Sequence, residues 1–278
     1  ADIYSRVSGS TGVCISTLGP GATNLVTGIG NASLDHSSVV AITSQRKVSD
    51  QHKHSHQFVD TNSVFEAVTK HTEQIKRVDT IPEQVRKAFE VAGREKQGAT
   101  HLEFPVDVSE SSVNKSNLDS SKNQVSPSGV QTQNIHNALE IINNSDNPVI
   151  LSGQGVLSQN ASSELSSFAE ISGIPVLTTF MGKGSISHRN EKFVGTIGFS
   201  KDDFSMKAIK EADTVITIGY DYIEFHPENW NIGEDKSIIH IDTLPPEIDE
   251  FYGVEMALIG NTARILQQFY EETTKMFK

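Results

Sequence analysis

The sequence predicts an α/β protein made of two doubly wound parallel-sheet domains. Its 278 residues suit two domains of ordinary size. Short apolar runs alternate with amphipathic helical segments in both halves, which is typical of parallel sheets covered by helices. A stretch rich in Ser, Asn and Lys and poor in apolar side chains separates the halves. We therefore expect a first domain at residues 1–110, a linker at 111–128 and a second domain at 129–278.

The charge and cysteine content of the chain argue against several classes of protein. A net charge of −12 disfavours nucleic acid and anionic membrane surfaces as partners, because both select basic proteins. No apolar run approaches the ~18 residues of a membrane-spanning helix. Cys14 is the one cysteine, which excludes an intramolecular disulfide, and its apolar surroundings favour a packed thiol. These features make a cytoplasmic location the expectation.

Both ends of the sequence look cut. It starts with Ala1 inside an apparent helix that ends at Gly9, without an initiator Met or a helix cap. A parallel sheet also needs several strands that are covered on both faces. We therefore expect this chain to be part of a longer polypeptide.

The stretch from Gly12 to Leu34 organises the first domain. Residues 13–17 form an apolar, β-branched run that predicts a buried strand. Gly19, Pro20 and Gly21 end that strand, and apolar residues at helical spacing follow. Such a strand–turn–helix can present backbone N–H groups to a ligand, and glycine permits a close approach. From the spacing alone, an ordinary βα turn is the simpler interpretation.

The same periodicities predict the other elements of the first domain. Further strands are expected at residues 38–43, 73–78 and 100–105. Thr80 and Glu83, with Pro82 between them, predict a capping box that opens a helix.

In the second domain, strands are expected at residues 147–152, 174–179, 214–218 and 237–241. Gly153 and Gly155 follow the first of these strands. A lone G-x-G is only a weak signal for a dinucleotide, because the full fingerprint needs a third glycine and a later acidic residue.

Three alternating histidines, His52, His54 and His56, lie between the second and third strands. Histidines that alternate on a strand can share a metal ion. However, no Cys or acidic pair completes such a site, and Lys53 disfavours a cation. A solvated loop is the simpler interpretation, and we expect no metal site in this chain.

Three segments of the first domain, Ala1–Gly9 (ADIYSRVSG), Pro20–Asn24 (PGATN) and Gly28–Ala32 (GIGNA), resemble the family of thiamine-diphosphate (ThDP) enzymes, and acetolactate synthases are the most similar members. In the second domain, Gly219–Phe225 (GYDYIEF) and Ile239–Asp242 (IHID) resemble the catabolic type of these synthases. The resemblance implies a pyrimidine-binding domain that is truncated at its N-terminus, followed by a Rossmann-like central domain.

The resemblance also implies which residues line the site. In the family the Gly-Pro-Gly turn lines the cofactor pocket, and a loop that matches His56–Asp60 (HQFVD) faces the reaction centre. An imidazole and an amide can donate hydrogen bonds to a carboxylate or to a developing alkoxide. The alternative role for Asn24 is a helix cap. The implied cofactor-binding residues are Gly19, Pro20, Gly21 and Asn24, and the implied catalytic residues are His56 and Gln57.

For the intact protein, the resemblance implies an acetolactate synthase, which joins two pyruvate molecules into 2-acetolactate with loss of CO2. ThDP and Mg²⁺ are the implied cofactors, and a homodimer or tetramer is the implied assembly. The family's catalytic glutamate and its Mg²⁺–diphosphate motif would lie before Ala1 and after Lys278, so we expect this piece alone to be inactive. The alternatives are another ThDP-dependent 2-oxo acid decarboxylase or carboligase, and a non-catalytic module that keeps the fold.

FAD is not expected. Biosynthetic acetolactate synthases bind FAD with an arginine where this chain has Lys96, and carry Phe-Asp-Asp-Arg where it has Tyr220–Ile223 (YDYI). Lysine and isoleucine cannot reproduce the planar, bidentate contacts of arginine with phosphate. The resemblance therefore implies a flavin-free enzyme.

Overall fold

Each half of the chain folds as a parallel sheet flanked by helices, as predicted. The computed structural model describes residues 1–53, 55–112, 128–199, 204–233 and 235–276. The chain divides into two units, Ala1–Asn123 and Gln124–Lys278. The predicted linker at 111–128 falls almost entirely on residues 113–127, which lie outside the described ranges.

Within the described residues, the first unit contains a four-stranded sheet in which neighbouring strands are parallel. Its strands are β1 (Gly12–Ser16), β2 (Val39–Gln45), β3 (His71–Gln74) and β4 (Ala99–Pro105). Its helices are α1 (Asp2–Ser8), α2 (Pro20–Thr23), α3 (Val26–Leu34), α4 (Thr61–Glu66), α5 (Ile81–Gly93) and α6 (Val106–Ser109). The strand order is β1-β2-β4-β3, so the carboxyl ends of all these strands meet at one edge of the sheet.

Two apolar layers cover the faces of this sheet. On one face, Ile29 of α3 and Phe65 of α4 pack in a cluster with Val39. On the other face, Ala88 of α5 packs in a cluster with Leu102. Burial of these side chains on both faces is the main favourable term that holds the helices against the sheet.

The first strand is less buried than its sequence predicts. The side chains of Val13 and Ile15 are 44% and 73% exposed, whereas Cys14 between them packs against the layer that contains α3. Val13 and Ile15 lie on β1, an edge strand of the sheet. They are on the same face of the sheet as α5, which packs on β2, β3 and β4. The prediction of a buried strand is therefore wrong for one face of β1. Partial burial raises the pKa of the Cys14 thiol, as suits a packed cysteine.

Several predicted boundaries in this unit need correction. The single helix expected after Gly21 is divided into α2 and α3. The capping box at Thr80 is wrong, because its hydroxyl donates to the Arg77 carbonyl at 2.9 Å and to Gln84 Oε1 at 3.2 Å, and makes no cap bond. Pro82 does lie in the first turn of α5, as predicted. The third strand begins and ends earlier than expected, and a 3₁₀ turn at Val78–Thr80 precedes α5.

The second unit contains a six-stranded sheet among the described residues, again with parallel neighbours. Its strands are β5 (Pro148–Ser152), β6 (Val176–Thr178), β7 (Phe193–Thr196), β8 (Thr214–Ile218), β9 (Ser237–Asp242) and β10 (Val254–Ile259). Its helices are α7 (Thr132–Asn143), α8 (Gly155–Ser158), α9 (Ser162–Ser172), α10 (Phe204–Glu211) and α11 (Thr262–Met276), with a 3₁₀ turn at Pro227–Asn229. The order β10-β9-β8-β5-β6-β7 is that of the Rossmann fold, as predicted.

The sequence reading missed β7 and β10, which are the two edge strands of this sheet. All four residues of β7 are only half-buried, and Gly195 interrupts its apolar character. In β10 exposed and partly buried positions alternate, and the charged Glu255 lies among them. Edge strands carry less apolar sequence than central strands, so their pattern is weaker.

The second unit has a core on each face of its sheet: one lies against the helices α7, α9 and α11, and the other includes Met206 and Ile209 of α10. Phe168 of α9 and Phe269 of α11 are fully buried, and their ring centroids are 5.1 Å apart. This pair joins two helices on one face of the sheet. No helix in the described ranges combines the length and the apolar character that a membrane span requires.

We expect the substitution Phe269→Ala to lower the free energy of unfolding by about 3–5 kcal/mol, because it leaves a cavity against Phe168. Tyr270→Ala is the matched control, since this neighbouring side chain is 41% exposed; it should cost at most about 1 kcal/mol. Urea unfolding measures both values, and equal losses would contradict this account of the core.

Candidate functional site

The carboxyl edge of the first sheet gathers the polar residues of this unit. The Gly19–Gly21 turn follows β1, Gln45 ends β2, Gln74 ends β3, and Glu103 lies two residues before the end of β4. Residues Thr43 and Gln74 both pair in register with Glu103, so these strand ends lie side by side. In parallel α/β sheets, ligands bind at this edge.

The corner after β1 is shaped to receive the backbone of another loop. Gly19 is buried and has φ 60° and ψ −122°, a conformation that is essentially limited to glycine. A Cβ at this position would clash with the carbonyl oxygen of Gln57 and would lie 3.0 Å from its Cβ. Gln57 itself has φ 61°, an uncommon value for a residue with a side chain. The structure therefore brings Gly19 and Gln57 together.

Gln57 lies in a tight turn in which the Phe58 N–H donates to the Ser55 carbonyl at 3.2 Å. The side chains of His56 and Gln57 are both exposed on this turn. Among the described residues, neither side chain has a hydrogen-bond partner. Their imidazole and amide are thus available to a ligand.

The other predicted site residues lie on the same corner. Pro20 begins α2 and is exposed, and Gly21 is half-buried against Thr17 and Ser16. Asn24 is exposed at the end of α2. Asn24 occupies the C-cap position of α2, where its backbone N–H donates to the carbonyls of Ala22 and Pro20, and it is not the N-cap of α3, which is Leu25.

Hydrogen bonds from the end of β2 fix the loop that carries His56 and Gln57. The Arg46 guanidinium donates to the His56 carbonyl, with Nη2 at 2.8 Å and Nε at 3.3 Å. The Gln45 amide donates to the Val59 carbonyl at 2.9 Å. Asp60 then caps α4 by accepting from Ser63 N–H at 3.2 Å, and hydrogen bonds from Ser63 lower the pKa of the Asp60 carboxyl. Hydrogen bonds therefore fix the backbone at both ends of the turn.

A buried carboxylate, Glu103, lies beneath this loop with only 1% of its surface exposed. It accepts hydrogen bonds from Gln45 Nε2 at 2.9 Å, from Asn62 Nδ2 at 3.2 Å, and from the Thr61 hydroxyl and the Gln74 amide. Burial raises the pKa of Glu103, and the bonds from Gln74 and Gln45 oppose that rise. The carboxylate thus ties the first turn of α4 to strands β2 and β3.

His101 lies two residues earlier on the same strand and is fully buried. Its Nε2 is 2.9 Å from the Thr43 hydroxyl, its Nδ1 is 2.7 Å from the Thr72 hydroxyl, and its ring stacks on Phe65 with centroids 4.0 Å apart. Burial lowers the pKa of His101 to about 4, so the ring is neutral near pH 7.

The sequence reading placed these residues in a strand and missed their role. The signal was present, because a strand that reads Thr100-His101-Leu102-Glu103 carries two ionisable residues where a buried strand is expected to be apolar. Residue spacing does not indicate the hydrogen-bond partners of His101 and Glu103, because those partners come from separate segments of the chain.

The histidine run gives no metal centre in the described structure. No group of three or more His, Cys, Asp or Glu among the described residues could hold a metal ion. His54 lies outside the described residues. A polar cleft of about 460 Å³ opens along β3, lined in part by Asn62, Thr72 and Gln74, and none of the predicted site residues lines it.

We expect Gly19→Ala to lower the free energy of unfolding by more than about 2 kcal/mol, because the new Cβ meets the Gln57 backbone and φ is positive. Gly28→Ala is the matched control: nothing lies within 4 Å of a Cβ there, and alanine favours a helix, so stability should rise by up to about 1 kcal/mol. Urea unfolding of both variants tests the contact, and a neutral effect of Gly19→Ala would refute it.

We also expect His101 to set part of the pH dependence of stability. The unfolded chain takes up a proton on this residue below pH 6.5, whereas the folded chain does so only near pH 4. Stability therefore falls as the pH drops from 6.5 to 4, by about 3 kcal/mol in all.

His101→Gln should remove this slope, because glutamine can bond to both threonines without titrating. Leu102→Ala should lower stability at every pH and keep the slope. Urea unfolding at a series of pH values separates the two variants, and an unchanged slope in His101→Gln would contradict the assignment.

Comparison with known proteins identifies the two units. Residues 1–76 match the family description "Thiamine pyrophosphate enzyme, N-terminal TPP binding domain". Residues 135–269 match "Thiamine pyrophosphate enzyme, central domain". The first match includes β1, the Gly19–Gly21 corner and the His56–Gln57 turn.

Similar proteins include a probable acetolactate synthase large subunit of Methanococcus aeolicus, which is 35% identical over 98% of this chain and 46% of its own length. An acetolactate synthase of Bacillus subtilis is 31% identical over 99% of this chain and 48% of its own length. A catabolic acetolactate synthase of Raoultella terrigena is 28% identical over 96% of this chain and 48% of its own length.

This chain thus spans less than half the length of these relatives. Both family descriptions fit the folds observed here, since each falls on a parallel sheet flanked by helices. The chain belongs to the thiamine pyrophosphate enzyme family.

Proposed function

We propose that this chain is part of an acetolactate synthase that converts two pyruvate molecules into 2-acetolactate and CO2. Residues 1–110 are the pyrimidine-binding domain in this proposal, and residues 129–278 are the central domain. The observation that carries it is the contact of the Gly19 corner with the Gln57 backbone, because it holds an exposed imidazole and amide next to the turn that lines the cofactor pocket in this family.

The residues of this edge fit one end of ThDP. Asn24, His56 and Gln57 are exposed and have no hydrogen-bond partner among the described residues, so they can bind a polar ring or a substrate. Gly19 and Gly21 carry no side chain, and the space that a Cβ would take there is filled by the Gln57 backbone and by the Thr17 and Ser16 side chains. When bound, ThDP supplies the electron sink for the loss of CO2.

Each side chain has a distinct task in this proposal. His56 and Gln57 donate hydrogen bonds to the pyruvate carboxylate, which orients the substrate. Arg46 and Gln45 hold the backbone of their turn at the His56 and Val59 carbonyls. Glu103 fixes the start of α4, and with it the end of the loop.

The proposal extends to the intact protein. Its cofactors are ThDP and Mg²⁺, with the main ligands outside this chain, and FAD is absent. The assembly is a homodimer or tetramer, and the compartment is the cytoplasm. The similarity to named acetolactate synthases over nearly the whole of this chain supports this reading.

We expect the intact protein to form acetolactate from pyruvate when ThDP and Mg²⁺ are present. His56→Ala and Gln57→Asn should each lower kcat/KM for pyruvate by about 10–100-fold, the loss expected for one hydrogen bond to a charged substrate. Asparagine keeps the amide and tolerates the positive φ of this position, but it is one methylene shorter.

His52→Ala is the matched control, because His52 is an exposed histidine of the same loop. It should leave kcat/KM unchanged. Turnover of a different 2-oxo acid would redirect the proposal to another carboligase or decarboxylase, and an inactive intact protein would refute it.

A further inference from the structure

The strand order of the second unit defines where a dinucleotide would bind. From β5, the strands β6 and β7 extend to one side, and β8, β9 and β10 extend to the other. In sheets of this topology the ligand enters the crevice between the carboxyl ends of the first and fourth strands, here β5 and β8. Its diphosphate is bound by backbone N–H groups of the glycine-rich turn after the first strand.

In this protein, Gly153 and Gly155 of that turn pack against the turn that follows β8. A Cβ at Gly153 would clash with the carbonyl oxygen of Gly219, which follows β8, and a Cβ at Gly155 would lie 2.5 Å from Gly219 Cα. Gly219 has φ 57°, and its carbonyl accepts a hydrogen bond from Gly155 N–H at 2.8 Å. The absence of side chains at these glycines lets the two turns touch, and the crevice is closed at this point.

A carboxylate of the protein accepts from the N–H group next to these glycines. The backbone N–H of Gln154 donates to Glu224, at 3.1 Å from Oε1 and 3.3 Å from Oε2. The Thr179 hydroxyl also donates to Glu224, and it accepts from Gly182 N–H at 2.9 Å. Glu224 therefore makes the contacts that a phosphate oxygen would make in a nucleotide-binding turn.

Aromatic packing fixes the segment that carries Glu224. Tyr220 is buried, donates to the Phe225 carbonyl and accepts from Trp230 Nε1 at 3.3 Å. Tyr222 donates to the Glu247 carbonyl at 2.8 Å. These bonds lie on both sides of Glu224 in the sequence and hold its backbone beside the glycine turn.

We propose that Glu224 is a built-in anion that occupies the diphosphate position of the Rossmann-like unit, so that this unit folds without a dinucleotide and excludes FAD. A second anion in the same place would meet both like charge and the closed glycine contacts. The inference extends the proposed function, in which the enzyme contains no flavin. It rests on that proposed function only for the choice of FAD as the dinucleotide that is excluded.

The first test uses the intact protein and excess FAD. After the unbound flavin is removed, absorbance should show no retained flavin, and calorimetry should show no rise in the unfolding midpoint. Stoichiometric flavin in the wild-type protein would overturn the inference. Acetolactate formation is measured on the same sample, so an inactive protein that also lacks flavin refutes the proposed function alone.

The second test removes the internal anion. Glu224→Ala should lower the unfolding midpoint by about 4 °C or more, and excess formate should restore part of that loss when chloride at equal ionic strength does not. Rescue by a small carboxylate is the signature of an anion position, since a merely structural side chain would not be replaced by formate.

Two further variants keep the second test decisive. Glu228→Ala, at an exposed acid four residues later, should change neither the midpoint nor its response to formate. If Glu224→Ala does not fold, Glu224→Gln keeps the side-chain shape and should show a lower midpoint without rescue. A wild-type midpoint in both Glu224 variants would overturn the inference.

Discussion

The buried carboxylate of Glu103 is the interaction on which the site edge of the first unit depends. Removing a carboxylate from water is unfavourable by several kcal/mol unless donors replace the water. Glu103 has donors from the end of β2, the start of α4 and the end of β3. Because each donor belongs to a different element, the carboxylate fixes their mutual positions. The loop that carries His56 and Gln57 runs between two of these elements.

The two units use internal carboxylates at the carboxyl edges of their sheets with opposite results. In the first unit, Glu103 lies beneath the loop and bonds mainly to side chains, so the outer side chains of His56 and Gln57 stay exposed. In the second unit, Glu224 bonds to the backbone N–H of Gln154 in the crevice itself. The same fold class thus leaves one edge open to a ligand and closes the other.

Sequence reasoning predicted most of this fold, because most central strands are short apolar runs that are rich in β-branched side chains and bounded by turn residues. It missed the edge strands β7 and β10, whose sequences are less apolar. It also predicted burial for Val13 and Ile15 of β1, which are exposed. For the site, the glycine corner was predicted to let a ligand approach closely. In the structure the backbone of Gln57 approaches Gly19, and nothing in the spacing of these two residues indicates that contact. The hydrogen bonds to Glu103 were not predicted either, because their donors come from separate segments of the chain.

Under the proposed function, the groups at the carboxyl edge of the first sheet decide which part of ThDP this chain can bind. Its available groups are the amides of Asn24 and Gln57, the imidazole of His56 and the backbone of the Gly19 turn, which suit an aromatic ring with polar edges. The Arg46 guanidinium is bonded to the His56 carbonyl, so it positions the loop instead of binding a phosphate. A diphosphate with Mg²⁺ needs oxygen ligands in octahedral geometry, and the described residues have no acidic cluster able to hold a metal ion. Under the proposed function, the main ligands of the diphosphate end of ThDP lie outside this chain, and substrate orientation is the part of catalysis assigned to His56 and Gln57.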